Sequence, residues 1–394
     1  MDRSYRYRLY PNRRQTTALQ EMLEGHRQLY NAALQERREA WRMGRVSVSY
    51  PMQANQLRDV RACDPQIAAL NYSSCQQTLR RLDKAFAAFF RRVRAGETAG
   101  YPRYKNRRRW KSVVFVYGDG ISLQDGRLYL QHIGRVRIRL HRPLPEGAVV
   151  KQVVVQRTSA DEWYATLQIE APDVQVEPRT EPSVGIDLGL EYLIALSTGE
   201  VISNPRWFRA TEQALALAQQ QQARCVRGSR RSLELGRRIA RWHELVARQR
   251  RDWQHKISRR LVQDYGLIAV EDLSIQGLAR SRLAKSVHDA GWSSFLDMLR
   301  YKVVETGSQV VAVVATGTSQ DCSCCGGHVP KTLADRVHHC PHCGFTALRD
   351  VNAALNVLAR STARTGPPRK GLLVPEGLGS SISPRIEVAG SRLL

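Results

Sequence analysis

The chain has 394 residues, and its 61 Lys and Arg against 36 Asp and Glu leave a formal net charge of +25, which calls for a polyanionic partner to offset self-repulsion. Hydrophobic residues make up 42%, enough for the cores of two to four units of about 100–200 residues each, so wholesale disorder is excluded. No stretch approaches the ~20 apolar residues of a membrane span and the start has no signal-like apolar run, so the expectation is a soluble cytosolic protein with no membrane partner.

In chain order, Tyr5-Arg6-Tyr7-Arg8-Leu9-Tyr10 alternates and stops at Pro11, which predicts a strand. Leu19, Leu23, Leu29, Tyr30, Ala33 and Leu34 then have helical spacing from Asn12 to about Arg42. A second helix is predicted from Gln66 to Arg94, with Leu79, Leu82, Phe86, Phe89 and Phe90 on one side and arginines on the other. Between Arg80 and Lys111 twelve basic residues face two acidic ones. After the basic turn Tyr101-Pro102-Arg103-Tyr104-Lys105-Asn106, short runs at 112–117, 128–130, 136–140, 149–155 and 163–169 have the rhythm of a small barrel or sandwich. Into it the first strand could pair.

Pro172 to Pro182 reads as a linker. Val184-Gly185-Ile186-Asp187-Leu188-Gly189 is a buried-strand pattern, and Leu193 to Ile202 forms a hairpin around Thr198-Gly199. From Arg224 to Arg260 thirteen basic residues face three acidic ones, and Arg224, Arg227, Arg231, Arg238, Arg241 and Arg248 at spacings of three, four or seven predict one basic stripe on a helix. Two such blocks point to contact with a nucleic-acid backbone, gripped by planar guanidinium forks. A strand at Leu267–Val270, a helix from about Ser293 to Gly307, a strand at Gln309–Val314 and a helix from Asp350 complete an α/β layer. The tail from Ala363 is expected to be disordered.

Two clusters carry chemistry. Cys322-x-x-Cys325 and Cys340-x-x-Cys343, each followed by Gly and separated by 14 residues, predict a closed tetrahedral thiolate site for structural zinc. Cys324, His328, His338, His339 and His342 are nearby substitutes that the repeated Cys-Gly disfavours. Asp187 lies in an apolar strand, where an unpaired acid is expensive and a cation is expected to face it. Glu271 and Asp272 end another strand and Asp350 opens a helix. Singly each acid could be a turn or a cap. Together at one sheet edge they suit two Mg²⁺ ions, or Mn²⁺, that hydrolyse a phosphodiester.

Here the residues resemble a family. Val184-Gly185-Ile186-Asp187-Leu188-Gly189, Val270-Glu271-Asp272-Leu273 and Arg349-Asp350-Val351-Asn352-Ala353-Ala354-Leu355-Asn356 look like the three motifs of a RuvC nuclease domain. The ribbon before the third motif, entered by Thr318-Ser319-Gln320, resembles TnpB, the transposon-associated family related to type V CRISPR effectors. Arg8-Leu9-Tyr10-Pro11, Tyr30-Asn31, Phe89-Phe90-Arg91 and Gly100-Tyr101-Pro102-Arg103-Tyr104-Lys105 look like its N-terminal region.

The resemblance implies a multidomain α+β chain. A wedge-type β-barrel (1–11 and 100–171) would hold an inserted helical recognition segment (12–99) and lead through a linker (172–182) to a RuvC domain of RNase H-like fold. That domain would span 183–317 and 346–362, with a basic helical insertion at 207–263, a zinc ribbon at 318–345 and a tail at 363–394. It further implies a transposon-end guide RNA, double-stranded target DNA with a short adjacent motif, and Asp187, Glu271 and Asp350 as metal ligands; alternation lets only one of Glu271 and Asp272 face the metal, and the resemblance selects Glu271. Tyr50 and Gln76 fall in the family's motif-reading region, and Arg103, Lys105, Arg107, Arg227, Arg231, Arg238 and Arg241 are candidate nucleic-acid contacts. Leu348 stands where the family usually has a second acid. The alternatives are an RNA-guided binder that does not cut and an RNA-independent RNase H-like transposase or resolvase.

Overall fold

The computed structural model describes residues 2–172, 176–179, 182–274, 277, 284–332 and 334–363. The expected tail beyond residue 363 and much of the expected linker lie outside them. Two compact units emerge, one of Met1–Asp173 with Gly236–Arg241, the other of Val174–Leu235 with Trp242–Leu394.

In the first unit β1 (Asp2–Tyr10) alternates as the sequence predicts, burying Tyr5, Tyr7 and Leu9 while the arginines between them stay partly exposed. It lies centrally in a seven-stranded antiparallel sheet with β2 (Ser112–Val116), β3 (Ile121–Gln124), β4 (Arg127–Leu130), β5 (Gly134–Arg139), β6 (Val149–Arg157) and β7 (Trp163–Glu170), in the order β2-β6-β7-β1-β5-β4-β3. The edges β2 and β3 are joined by a tight turn in which Gly118 N–H donates to Ile121 O at 3.0 Å, which makes the sheet barrel-like and nearly closed. Sequence reasoning missed β3, whose four residues are too few to show alternation.

Helix α1 (Arg13–Gly44) starts with a capping box between Asn12 and Gln15. The predicted helix from Gln66 to Arg94 is corrected to two pieces, α3 (Pro65–Ala68) and α4 (Tyr72–Arg94). Asn71, in extended conformation, accepts from Ser74 N–H and so starts a new helix rather than continuing the old one. Between α1 and α3, α2 (Tyr50–Cys63) went unpredicted because it buries only Gln53 and Leu57 and offers little periodicity. One apolar cluster joins the helices to the inner face of the sheet, from Leu19, Leu34 and Leu82 to Val153 and Leu167.

In the second unit five strands run in the order β10-β9-β8-β11-β12: β8 (Ser183–Asp187), β9 (Tyr192–Leu196), β10 (Val201–Ser203), β11 (Leu267–Glu271) and β12 (Gln309–Val313). β8, β11 and β12 are parallel, and β9 and β10 return antiparallel. The helices are α5 (Trp207–Ala223), α6 (Arg230–Asp264), α7 (Ala284–Ala290), α8 (Trp292–Thr306) and α9 (Arg349–Ala363), with a small hairpin of β13 (Val337–His339) and β14 (Thr346–Leu348). The single arginine stripe is corrected. α5 ends before Arg224, Gly228 turns with φ 86°, and Ser229 caps α6 through Ser232 N–H, so Arg224 and Arg227 lie off the helix that carries Arg231, Arg238, Arg241 and Arg248. No helix among the described residues is long and apolar enough to cross a membrane.

Gly185 decides how close α9 comes to the sheet. A Cβ there would lie 2.0 Å from Ala354 O and 2.8 Å from Leu358 N, so only hydrogen fits between β8 and the helix backbone. Gly185→Ala should force α9 outward and lower stability by about 2–3 kcal/mol, read from urea unfolding. An unchanged midpoint would show that the approach is not required.

Candidate active site and zinc centre

The close approach at Gly185 sets the acid cluster. Asp187 lies two residues on, hence on the same face of β8, and Asp350 lies one helical turn before Ala354 on α9. On the parallel neighbour, Ala269 is registered with Gly185 and packs with Val357 of α9, so Glu271 at the end of β11 shares that face. Three carboxylates from three elements thus meet at the C-terminal ends of two parallel strands, a usual place for ligands in such sheets. Asp272 is exposed whereas Glu271 is 7% exposed, as alternation requires.

Among the described residues, their electrostatics are those of a site short of positive charge. Asp187 keeps a partly open surface, but the protein encloses its carboxyl; burial first, then Glu271 and Asp350, push its pKa well above the usual carboxylate range, against a smaller opposing pull from Arg349. Burial raises Glu271 too, opposed by the Thr318 hydroxyl 2.5 Å from its Oε1 and by Arg360. Asp350 Oδ1 accepts from Arg349 Nε at 3.1 Å and lies 3.0 Å from Nη2, a forked pair. Among the described residues, Arg349 is the cation that answers the expectation of a positive group near Asp187. All-oxygen donors, one of them with its proton affinity raised by burial and by its two acidic neighbours, fit a hard divalent ion. Among the described residues only the cysteine cluster brings its donor atoms within 4.8 Å of one another, so the carboxylates are more open than a closed cage.

That cluster is Cys322, Cys325, Cys340 and Cys343. Its sulfurs are 3.7 Å apart for Cys322 and Cys343 and 3.6 Å for Cys325 and Cys340. A tetrahedron with metal–sulfur bonds of 2.3 Å has edges of about 3.8 Å, so the donors are already spaced for zinc. The two knuckles are equivalent: Gly326 N–H donates to Cys322 O and Gly344 N–H to Cys340 O, both at 2.9 Å, with φ of 76° and 73°. That left-handed turn is why Gly follows each second cysteine. Of the substitutes, His328 pairs with Asp321 and His339 with Thr346, His338 is buried beside Phe345, and Cys324 and His342 are exposed and lie outside the cluster. Leu348 ends β14, registered with Val337 in the ribbon hairpin.

The candidate nucleic-acid residues are dispersed over the surface. Tyr50 OH accepts from Arg80 Nε at 3.0 Å, and Arg80 is one helical turn beyond half-buried Gln76. Asn31 clamps Lys105, accepting from its N–H at 2.8 Å and donating to its carbonyl at 2.9 Å, while its ammonium lies over Tyr30. Arg107 pairs with Glu24 at 3.0 Å and Arg103 is exposed. Arg227, Arg231, Arg238 and Arg241 are all exposed. Sequence reasoning missed the forked Arg349–Asp350 pair and the contact of Thr318 with Glu271. The only signal for the first was adjacency, and for the second the Thr318-Ser319-Gln320 motif.

The chain is similar to known proteins along most of its length. Residues 166–282 match the OrfB_IS605 family model, described as "Probable transposase", and residues 292–357 match the "Cas12f1-like, TNB domain". Residues 1–45 match the model described as "Helix-turn-helix domain", a span that here holds β1 and the uninterrupted α1. A protein of Streptomyces pristinaespiralis named "Putative RNA-guided DNA endonuclease" is 34% identical over 92% of this chain and 90% of its own. InsQ of Escherichia coli K12, named in the same words, is 31% identical over 91% and 92%. A cryo-EM structure of a Cas12f1–sgRNA–target DNA complex aligns over 92% of this chain at 16% identity with a TM-score of 0.35, a likeness too distant to support an argument. The chain belongs to the TnpB family.

Proposed function

We propose that this protein is an RNA-guided DNA endonuclease that hydrolyses phosphodiesters at a divalent-metal site formed by Asp187, Glu271 and Asp350, with zinc held structurally by the four cysteines. The observation that carries the reading is the convergence of three carboxylates at the ends of β8, β11 and α9 in a chain of net charge +25. An acidic cluster cannot hold a polyanion by itself, whereas basic surfaces can hold the strands while the acids hold Mg²⁺ or Mn²⁺. The bound ions would supply an activated water and a counter-charge for the leaving oxygen. Glu271 is held by Thr318 and Asp350 by Arg349, so two of the three ligands are oriented before any metal binds.

The strand order, an antiparallel run β10-β9-β8 continued on one side by β11 and β12 parallel to β8, supports an RNase H-like domain at 183–317 and 346–362, and the seven-stranded sheet supports the wedge barrel with the helices of 12–99 inserted. Guide RNA and double-stranded target DNA are the partners, with sequence read mainly by base pairing. Tyr50 and Gln76 are the proposed readers of the adjacent motif, a reading supported by Arg80, which hydrogen-bonds Tyr50 and lies one helical turn beyond Gln76. The test is to purify the protein with RNA from its own locus, sequence that RNA, and offer plasmids with the matching target beside randomised flanks. Guided cutting that requires Mg²⁺ or Mn²⁺ is expected. Guided occupancy without cutting in either metal would make the protein a regulator, and protein that carries no RNA would sink the guided reading.

A further inference from the structure

The turn leading into the zinc knuckle is tied to the carboxylate site. Thr318 is 3% exposed, and its hydroxyl lies 2.5 Å from Glu271 Oε1 and 2.9 Å from Ala315 O. Asn356 Nδ2 donates at 2.8 Å to the carbonyls of both Thr318 and Asp321, and Asn352 Nδ2 donates at 2.8 Å to that of Asp321. Arg360 Nη1 donates to Val314 O at 2.9 Å and Thr316 O at 2.6 Å, and its Nη2 meets Asp321 Oδ2 at 3.1 Å. These three side chains are four residues apart and form one stripe on α9, the helix that also carries Asp350. The residue after Asp321 is Cys322, and Ser323 N–H donates to Asn352 Oδ1 at 3.0 Å, so the same stripe grips the first knuckle.

We infer that Thr318 is a positioning residue for Glu271, delivered to it by the tether between α9 and the zinc ribbon. A free glutamate at a strand end retains rotamer freedom, which metal binding would have to remove. The Thr318 hydroxyl removes it beforehand by fixing one carboxylate oxygen and leaving the other free. Partners of this kind around metal ligands are typically worth about 10–100-fold in affinity or activity. The inference rests on reading Asp187, Glu271 and Asp350 as a divalent-metal site.

Thr318→Val keeps the shape and removes the donor. In the RNA-loaded protein it should cut about 10–100-fold more slowly, with half-saturating Mg²⁺ raised and Ca²⁺ affinity by calorimetry lowered by a similar factor. Zinc content, guide-RNA affinity and melting temperature without added Mg²⁺ should not change, and Thr318→Ser should restore metal affinity to within about threefold. Wild-type metal dependence in Thr318→Val overturns the inference. So do equal damage in the two variants, or a loss of zinc or RNA in Thr318→Val, since these mark a purely structural threonine. Failure of the underlying reading looks different: Asp187→Asn, which leaves Thr318 intact, would then bind Ca²⁺ as tightly as the wild type.

Discussion

Asp187→Ala should abolish guided DNA cleavage while leaving guide-RNA affinity unchanged. Losing this carboxylate would remove one of the three proposed metal ligands, and Lewis-acid stabilisation worth several kcal/mol amounts to roughly 10³-fold or more in rate. Single-turnover cleavage of a matched plasmid reads the loss, and filter binding of labelled RNA reads the retention. A variant that cuts at the wild-type rate would remove Asp187 from the mechanism. A second arm uses stability. Because the folded-state pKa of Asp187 is raised, the folded chain holds its proton more tightly than the unfolded chain does. Its favourable contribution is complete below the ordinary carboxylate range and is lost as pH rises through the raised value. Asp187→Asn should therefore melt at a higher temperature than wild type at neutral pH without divalent metal. The gap should close as pH falls toward 4, and also when Mg²⁺ is added to the wild type.

The legibility of the site follows from where its constraints reside. Asp187 and Glu271 could be found because a charged residue ending an apolar strand violates the pattern around it, and Cys322, Cys325, Cys340 and Cys343 because thiolate spacing is local. Gly185 was visible as part of a motif, but its cause, an α9 carbonyl where a Cβ would be, depends on packing across more than 160 residues of chain. The Thr318–Glu271 contact was illegible for the same reason: each side chain is ordinary alone, and the partner is chosen by tertiary geometry. The breaks at Asn71 and at Gly228–Ser229 show the opposite limit. Both are written locally, as a helix cap and a left-handed glycine, beneath a periodicity and a charge pattern that run across them.

Cys343→Ser should release zinc and melt the ribbon without melting the sheet beside it. The hairpin of β13 and β14 has three residues per strand, and its buried side chains are few, chiefly His338 with the cysteines Cys322 and Cys340. Such a segment cannot offset its chain entropy by burial, so the metal has to supply most of its folding free energy, on the order of 10 kcal/mol in small zinc domains. β8, β11 and α8 have their own apolar cluster, from Val184 and Ile186 to Ile268, Phe295 and Leu299. Metal analysis should find one zinc per chain in the wild type and in Cys324→Ser, whose exposed thiol lies outside the cluster, and little in Cys343→Ser. Hydrogen exchange should then rise across 322–345 while β8 and β11 stay protected. It should also rise in 315–321, because one end of that turn is anchored by the knuckle and the other by Asn356 and Arg360, and with one anchor gone Thr318 no longer holds Glu271. Cleavage should fall with it even though no carboxylate has been touched. Full zinc occupancy in Cys343→Ser, or loss of zinc in Cys324→Ser, would show that the four ligands are misassigned.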